Sequence, residues 1–144
     1  MIVTFCGHSD EYFSGLDADK LTSTVISLIK EGADTFLLGG YGSFDALALS
    51  AVNRAKREYP GIKIVYVTPY IHKRYDERDY DCALFPPLET VPGRFAIPKR
   101  NEWMVKRSDV VVSFVRHSFG GAYKMLGLAR KYGKRIIEFE RKSR

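Results

Sequence analysis

The run Leu37-Leu38-Gly39-Gly40-Tyr41-Gly42-Ser43-Phe44-Asp45-Ala46-Leu47-Ala48 joins an apolar segment to an amphipathic one through three glycines. Glycines at such a junction let the backbone turn sharply and approach a ligand, and a helix starting after them presents unpaired N–H groups and a positive dipole end. Phosphate binding is the chemistry that suits this arrangement. The spacing is not Gly-x-Gly-x-x-Gly, and no Lys-Ser/Thr follows, so neither the dinucleotide fingerprint nor the P-loop applies. The plainer alternative is a turn in which glycine serves geometry alone.

Other reactive side chains are sparse. Cys6 and His8 are two apart, which formally allows a thiolate and imidazole on one face of a strand, but no third group is in place to orient them. His8, His72 and His117 lack metal-ligand spacing, so no metal site and no cofactor is expected. His8 has the alternative of hydrogen-bonding a neighbouring turn. Asp45, in the first turn of its helix, has the alternative of simply favouring the dipole.

The 144 residues, 45% hydrophobic and 28% charged, have the composition of an ordinary globular chain long enough for a real core. Met1 to Cys6 is apolar but short and has no positive leading region; it predicts a first strand and not a secretory signal. No stretch has the length of a membrane span. Cys6 and Cys82 show no pairing pattern, which predicts a reducing, cytoplasmic compartment. Charge is uneven: residues 1–50 hold two Lys against seven Asp/Glu, and residues 51–144 hold 21 Lys/Arg against ten, so the net +6 is the sum of −5 and +11. The basic half is either a set of solvated helix faces with a basic tail, Arg141-Lys142-Ser143-Arg144, or a surface that attracts phosphates and nucleic acid.

Periodicity predicts the elements that would position these groups. Strands are expected at Ile2–Cys6, Phe36–Leu38, Ile62–Thr68, Asp109–Val115 and Arg135–Phe139. Helical stripes run through Ala18, Leu21, Val25, Leu28 and Ile29, through Phe44, Leu47, Ala48, Ala51, Val52 and Ala55, and through Ala122, Met125, Leu126, Ala129 and Tyr132. Continuous apolar strands separated by helices imply a Rossmann-like α/β/α sandwich with a mainly parallel, five-stranded sheet. In such a sheet ligands bind at the carboxyl ends of the strands, near the point where strand order reverses. Those ends carry Gly7-His8-Ser9-Asp10, Gly39-Gly40, Thr68-Pro69-Tyr70 and Arg116-His117-Ser118-Phe119-Gly120-Gly121.

Taken in order, Gly7-His8, Gly39-Gly40-x-x-x-Phe44-Asp45-x-Leu47-Ala48, Tyr59-Pro60, Arg100-Asn101-x-x-Met104-Val105-x-x-Ser108-Asp109 and Gly120-Gly121-Ala122 resemble the SLOG superfamily, the Rossmann-like proteins grouped around DprA/Smf and the LOG enzymes, closest to its YpsA-like branch. The resemblance spans nearly the whole chain, 1–144, as one domain. It implies a small nucleotide-type ligand across the strand ends, cradled by Gly39, Gly40 and Gly42, with Tyr41 and Ser43 of the same turn beside it. Asp45 would face that ligand, Gly120-Gly121 would form a second cradle, and Arg100 and Asn101 would close the site from its lip. It also implies a homodimer, and a sensor or binding protein.

The LOG branch instead cleaves the N-glycosidic bond of nucleoside monophosphates with a glutamate in Pro-Gly-Gly-x-Gly-Thr-x-x-Glu. Here Leu38 replaces the proline and Ala46 stands at the glutamate, with Asp45 one position early. One position is a rotation of about 100° on a helix, so Asp45 is expected to point away from a LOG-type reacting centre. Binding is therefore favoured over catalysis, with LOG-like hydrolysis or transfer and single-stranded nucleic-acid binding as alternatives. The stretch from about 70 to 100, rich in proline and aromatics, reads as a flap whose Tyr70, Tyr75, Tyr80, Phe85 and Phe95 either stack a base or pack onto the sheet.

Overall fold

The computed structural model describes residues 1–8, 18–70, 74–88, 90–116 and 118–139. Ser9, Asp10, His72, Lys73, His117 and the basic tail lie outside the described residues.

Each predicted strand forms: β1 Ile2–Gly7, β2 Thr35–Leu38, β3 Lys63–Val67, β5 Val110–Phe114 and β6 Arg135–Glu138. A sixth, β4 Cys82–Leu84, lies within the 70–100 stretch, so the expectation of five strands falls one short. All pairings are parallel, and the order is β4-β3-β2-β1-β5-β6. Three exposed residues carry no periodic signal, which is why β4 escapes a reading of pattern. It is held by its neighbour Asp81, whose N–H donates to the Ile64 carbonyl and whose carboxylate accepts the Ile64 N–H at 2.7 Å and pairs with Lys56.

Strand alternation distributes the core to two faces. Val3, Phe5, Phe36, Leu38, Ile64, Val110, Val112 and Phe114 pack against α1 Ala18–Lys30 and α2 Ser43–Glu58. Cys6, Leu37, Val65, Val67 and Val111 face the opposite way, under α3 Ala96–Arg107 and α4 Gly120–Lys131. The result is the three-layer α/β/α sandwich. Tyr75 and Tyr80 pack on Tyr66, with ring centroids 6.1 and 5.1 Å from it, so within the 70–100 stretch these two aromatics serve the core and not a base. Tyr70 and Phe95 remain exposed.

The order places a reversal at β1. From β1 the chain steps outward through β2, β3 and β4, then returns to lay β5 along the other edge of β1, with Val3–Gly7 in register with Val110–Phe114. Loops leaving β1 and β5 at their carboxyl ends diverge, and a crevice opens between them. One contact fixes its floor: a Cβ at Gly7 would stand 2.3 Å from the ring of Phe44, which is fully buried and stacked on Phe114 at 6.1 Å.

Overpacking of a rigid core costs about 1–3 kcal/mol, at times more. Gly7→Ala is therefore expected to destabilise by at least that much in urea unfolding. Gly121→Ala, where a new Cβ meets nothing within 4 Å, is expected to be neutral or stabilising by up to ~1 kcal/mol, as alanine replaces glycine in a helix. Equal effects of the two would remove the Phe44 contact as the reason for Gly7.

Candidate functional site

A cavity of about 340 Å³ occupies the crevice, within the size range of small-molecule sites. β1 supplies Gly7 and His8, the β2–α2 turn supplies Tyr41 and Asp45, α3 supplies Arg100 and Asn101, and the start of α4 supplies Gly120 and Gly121. These residues come from four separate stretches of chain and meet only because of the strand reversal. The remaining expected residues fall elsewhere. Gly39 and Gly40 line a separate hollow of about 60 Å³ shared with Tyr66 and Tyr70, Ser118 lines a third, and Gly42 and Ser43 line none of these three. Sequence reasoning missed Phe119, Ile97, Met104 and Met125 in the cavity wall; Met104 and Met125 sit in helical stripes that mark them as core, and they are both.

Arg100 is not at a lip. It is 4% exposed, with Nη1 donating to the Gly39 carbonyl at 3.0 Å and to the Val67 carbonyl at 3.1 Å, and Nε to Asn101 Oδ1 at 2.9 Å. The signal for this was present: Ala96, Arg100 and Met104 are buried at helical spacing, so the inward stripe of α3 runs through the arginine. Burial pulls its pKa below the ordinary guanidinium value, against the charges of Asp45, Tyr66 and Tyr70. Among the described residues no carboxylate forms a salt bridge with it. A Cβ at Gly39 would stand 2.8 Å from Nη1, so this glycine makes room for the guanidinium.

Gly40 has φ +66° and a Cβ there would lie 3.2 Å from the Tyr66 ring. A branched residue at this position strains the turn itself, so a loss of binding on substituting Gly40 could not be told from a loss of folding. Gly42, φ +92°, is the residue before α2. Two positions into that helix Asp45 reaches back, its Oδ2 accepting the Tyr41 N–H at 3.2 Å. The carboxyl thereby lines the cavity, whereas Ala46 is exposed and outside it. The position of this helix start that faces the cavity is thus 45 and not 46. Burial, opposed by the Tyr41 N–H and by Arg100, pushes its pKa up to about 6.

Cys6 and His8 do not pair. The Cys6 thiol donates to the Ala122 carbonyl, 3.0 Å away, and burial pushes its pKa up to about 12, which leaves no thiolate at neutral pH. His8, buried, accepts the Arg116 N–H on Nε2 at 2.9 Å, tying the end of β1 to the end of β5. An accepting Nε2 puts the proton of the neutral ring on Nδ1. Among the described residues no group of three His, Cys, Asp or Glu could hold a metal ion, and no helix is long and apolar enough to cross a membrane. Two aromatic rings stand out at the cavity, Tyr41 at 64% and Phe119 at 68% exposure.

No family model matches the chain. The SPbeta prophage-derived protein YoqJ of Bacillus subtilis (strain 168) is 26% identical over 136 residues, covering 78% of this chain and 80% of that protein. Among solved structures, the chain is similar to DNA processing protein A from Helicobacter pylori, described for its single-stranded DNA binding mode, with a TM-score of 0.64, 18% identity and 96% of this chain covered. This chain spans 64% of that protein's length. It is also similar to the molybdenum cofactor carrier protein of Chlamydomonas reinhardtii, with a TM-score of 0.62, 17% identity and coverage of 95% of this chain and 74% of that one. These likenesses establish a shared Rossmann-like fold of the DprA type.

Two outcomes follow from the site's electrostatics and packing. Burial raises the Asp45 carboxyl from the ordinary aspartate range to about 6 in the folded state, so near pH 5 the native state holds a proton that the unfolded chain has lost. The stability it contributes is fully present below about pH 4 and is lost as pH rises through 6. Asp45→Asn is expected to raise stability at pH 8 by roughly 2 kcal/mol and to match wild type at pH 4, read from melting curves. A constant difference across that range would refute the buried, protonatable carboxyl. Arg100→Ala leaves two carbonyls without their donor and is expected to cost about 3 kcal/mol. Gly39→Ala should destabilise wild type but cost far less in the Arg100→Ala background, and additive effects in that double-mutant cycle would deny the contact.

Proposed function

We propose that this chain binds a nucleotide or nucleotide-derived small molecule at the carboxyl ends of β1, β2 and β5, as a sensor or binding protein of the SLOG type. We place it nearest the YpsA-like branch and infer that it acts as a homodimer. The observation that carries the reading is the Arg100 guanidinium in the cavity wall, buried and without a carboxylate in salt-bridge range among the described residues. A buried cation that Asp45 offsets only from beyond salt-bridge range is costly, and an anionic ligand offsets that cost. Tyr41 and Phe119 offer flat faces to a base, and the open Gly120-Gly121 start of α4 adds backbone donors beside them. That two proteins of the same fold are described by a DNA strand and by a cofactor they handle supports a ligand-holding role for this architecture.

A second reading rests on Asp45. A carboxyl facing the cavity with a pKa near 6 is tuned as a general acid or base close to neutrality, as N-glycosidic hydrolysis or transfer on a nucleotide requires. One experiment separates the two. Calorimetry with the common nucleoside monophosphates is expected to show binding that Tyr41→Ala weakens about tenfold, the loss of one stacked base, while the exposed ring's removal leaves the melting temperature unchanged. Chromatography of the same mixtures is expected to show intact nucleotide. Absence of binding across the panel sinks the proposal, and release of free base that Asp45→Asn abolishes replaces it with the enzyme.

A further inference from the structure

The site does not end at Phe119. Beyond that ring a shallower hollow of about 400 Å³ runs over the ends of β5 and β6 and along the length of α4, with Arg116, Tyr123, Arg130 and Glu138 in its lining. Phe119 lines both hollows. Tyr123, one helical turn further on, is 41% exposed, so its ring stands in the second hollow and not in the core. Exposed aromatic rings gain free energy when a flat partner covers them, and every nucleobase offers such a face.

The polar groups around Tyr123 match the rest of a nucleoside. Arg116 brings a guanidinium, the donor type suited to phosphate oxygens. Glu138, at the carboxyl end of β6, is held by Arg130 at 2.9 Å and is half exposed, which leaves it able to accept ribose hydroxyls as an acidic residue does in dinucleotide-binding folds. A ring, a cation and a fixed carboxylate therefore adjoin a cavity that already has two rings and an arginine.

Building on the reading of that cavity as a nucleotide site, we propose that the hollow beyond Phe119 is a second nucleoside subsite. The ligand is then a compound of two nucleosides joined through phosphate. One base lies at Tyr41 and Phe119, the other lies at Tyr123, and the phosphate bridge spans Phe119 within reach of Arg116. Tyr123 and Glu138 are specificity residues for the second unit and make no contribution to the first.

Calorimetry on the full chain tests this with three probe sets: nucleoside 5′-monophosphates, the corresponding 5′,5′-dinucleoside diphosphates, and single-stranded tetranucleotides. The dinucleoside diphosphate is expected to bind about tenfold more tightly than its monophosphate, the gain from stacking one more base. Tyr123→Ala, outside the core, is expected to remove that advantage and leave monophosphate affinity unchanged. Equal affinity for one and two units in the wild type overturns the subsite while leaving the cavity reading in place, as does a Tyr123→Ala variant that weakens both probes alike. Tetranucleotides a further tenfold tighter would replace the subsite with a strand-binding track. No binding of any probe overturns the cavity reading and the subsite with it.

Discussion

The hydrogen bonds of one buried guanidinium organise the cavity end of this protein. The carbonyls of Gly39 and Val67 emerge where β2 has ended and its pairing with β3 stops, and a buried carbonyl without a donor costs about 1–3 kcal/mol. Arg100 Nη1 satisfies both at once, and in doing so it pins α3 to the ends of two strands. The rest follows from that placement: a side chain at residue 39 would meet the guanidinium, the wall between the cavity and the smaller hollow at Tyr66 is set, and Asp45 feels a positive charge that partly offsets its desolvation.

Much of the architecture was legible in the sequence, because a parallel sheet covered on both faces forces long apolar runs, and helices laid on it force stripes. The reversal of strand order was legible only in part. Nothing in the pattern of Val110–Phe114 says that it lies beside β1 and not beyond β3; that depends on the long return through residues 70–107, whose own strand is too short and too exposed to read. The placement of Arg100 fails for a different reason. An arginine is assumed to face water, and the apolar stripe Ala96–Met104 that encloses it was outweighed by that assumption.

The glycine turn teaches a related lesson. Its glycines resemble a ligand cradle, but two of them have occupants already: the guanidinium lies against Gly39, and the Tyr66 ring against Gly40. The part of the turn that meets the cavity is further along, at Tyr41 and Asp45. The motif lies at the end of the sheet where the cavity opens, with its first two glycines packed against protein atoms, since a sequence pattern records where backbone is crowded and not what crowds it. Asp45 shows the converse. Counting along an ideal helix says only that it is rotated from the LOG glutamate position, whereas its bond to the Tyr41 N–H, formed across the start of α2, is what sets it against the cavity.

The two cysteines differ in a way that gives the molecule an internal clock. Cys82 sits exposed on the edge strand, while Cys6 lies under α4 with its thiol engaged by the Ala122 carbonyl and its proton tightly held. Alkylation of the first is governed by diffusion of the reagent to an exposed sulfur. Alkylation of the second must wait until α4 lifts from β1, because only then does the sulfur lose its partner and meet solvent. The interval between the two reactions measures how often this end of the sandwich opens, and a molecule seated against Gly121 and Ala122 lengthens it.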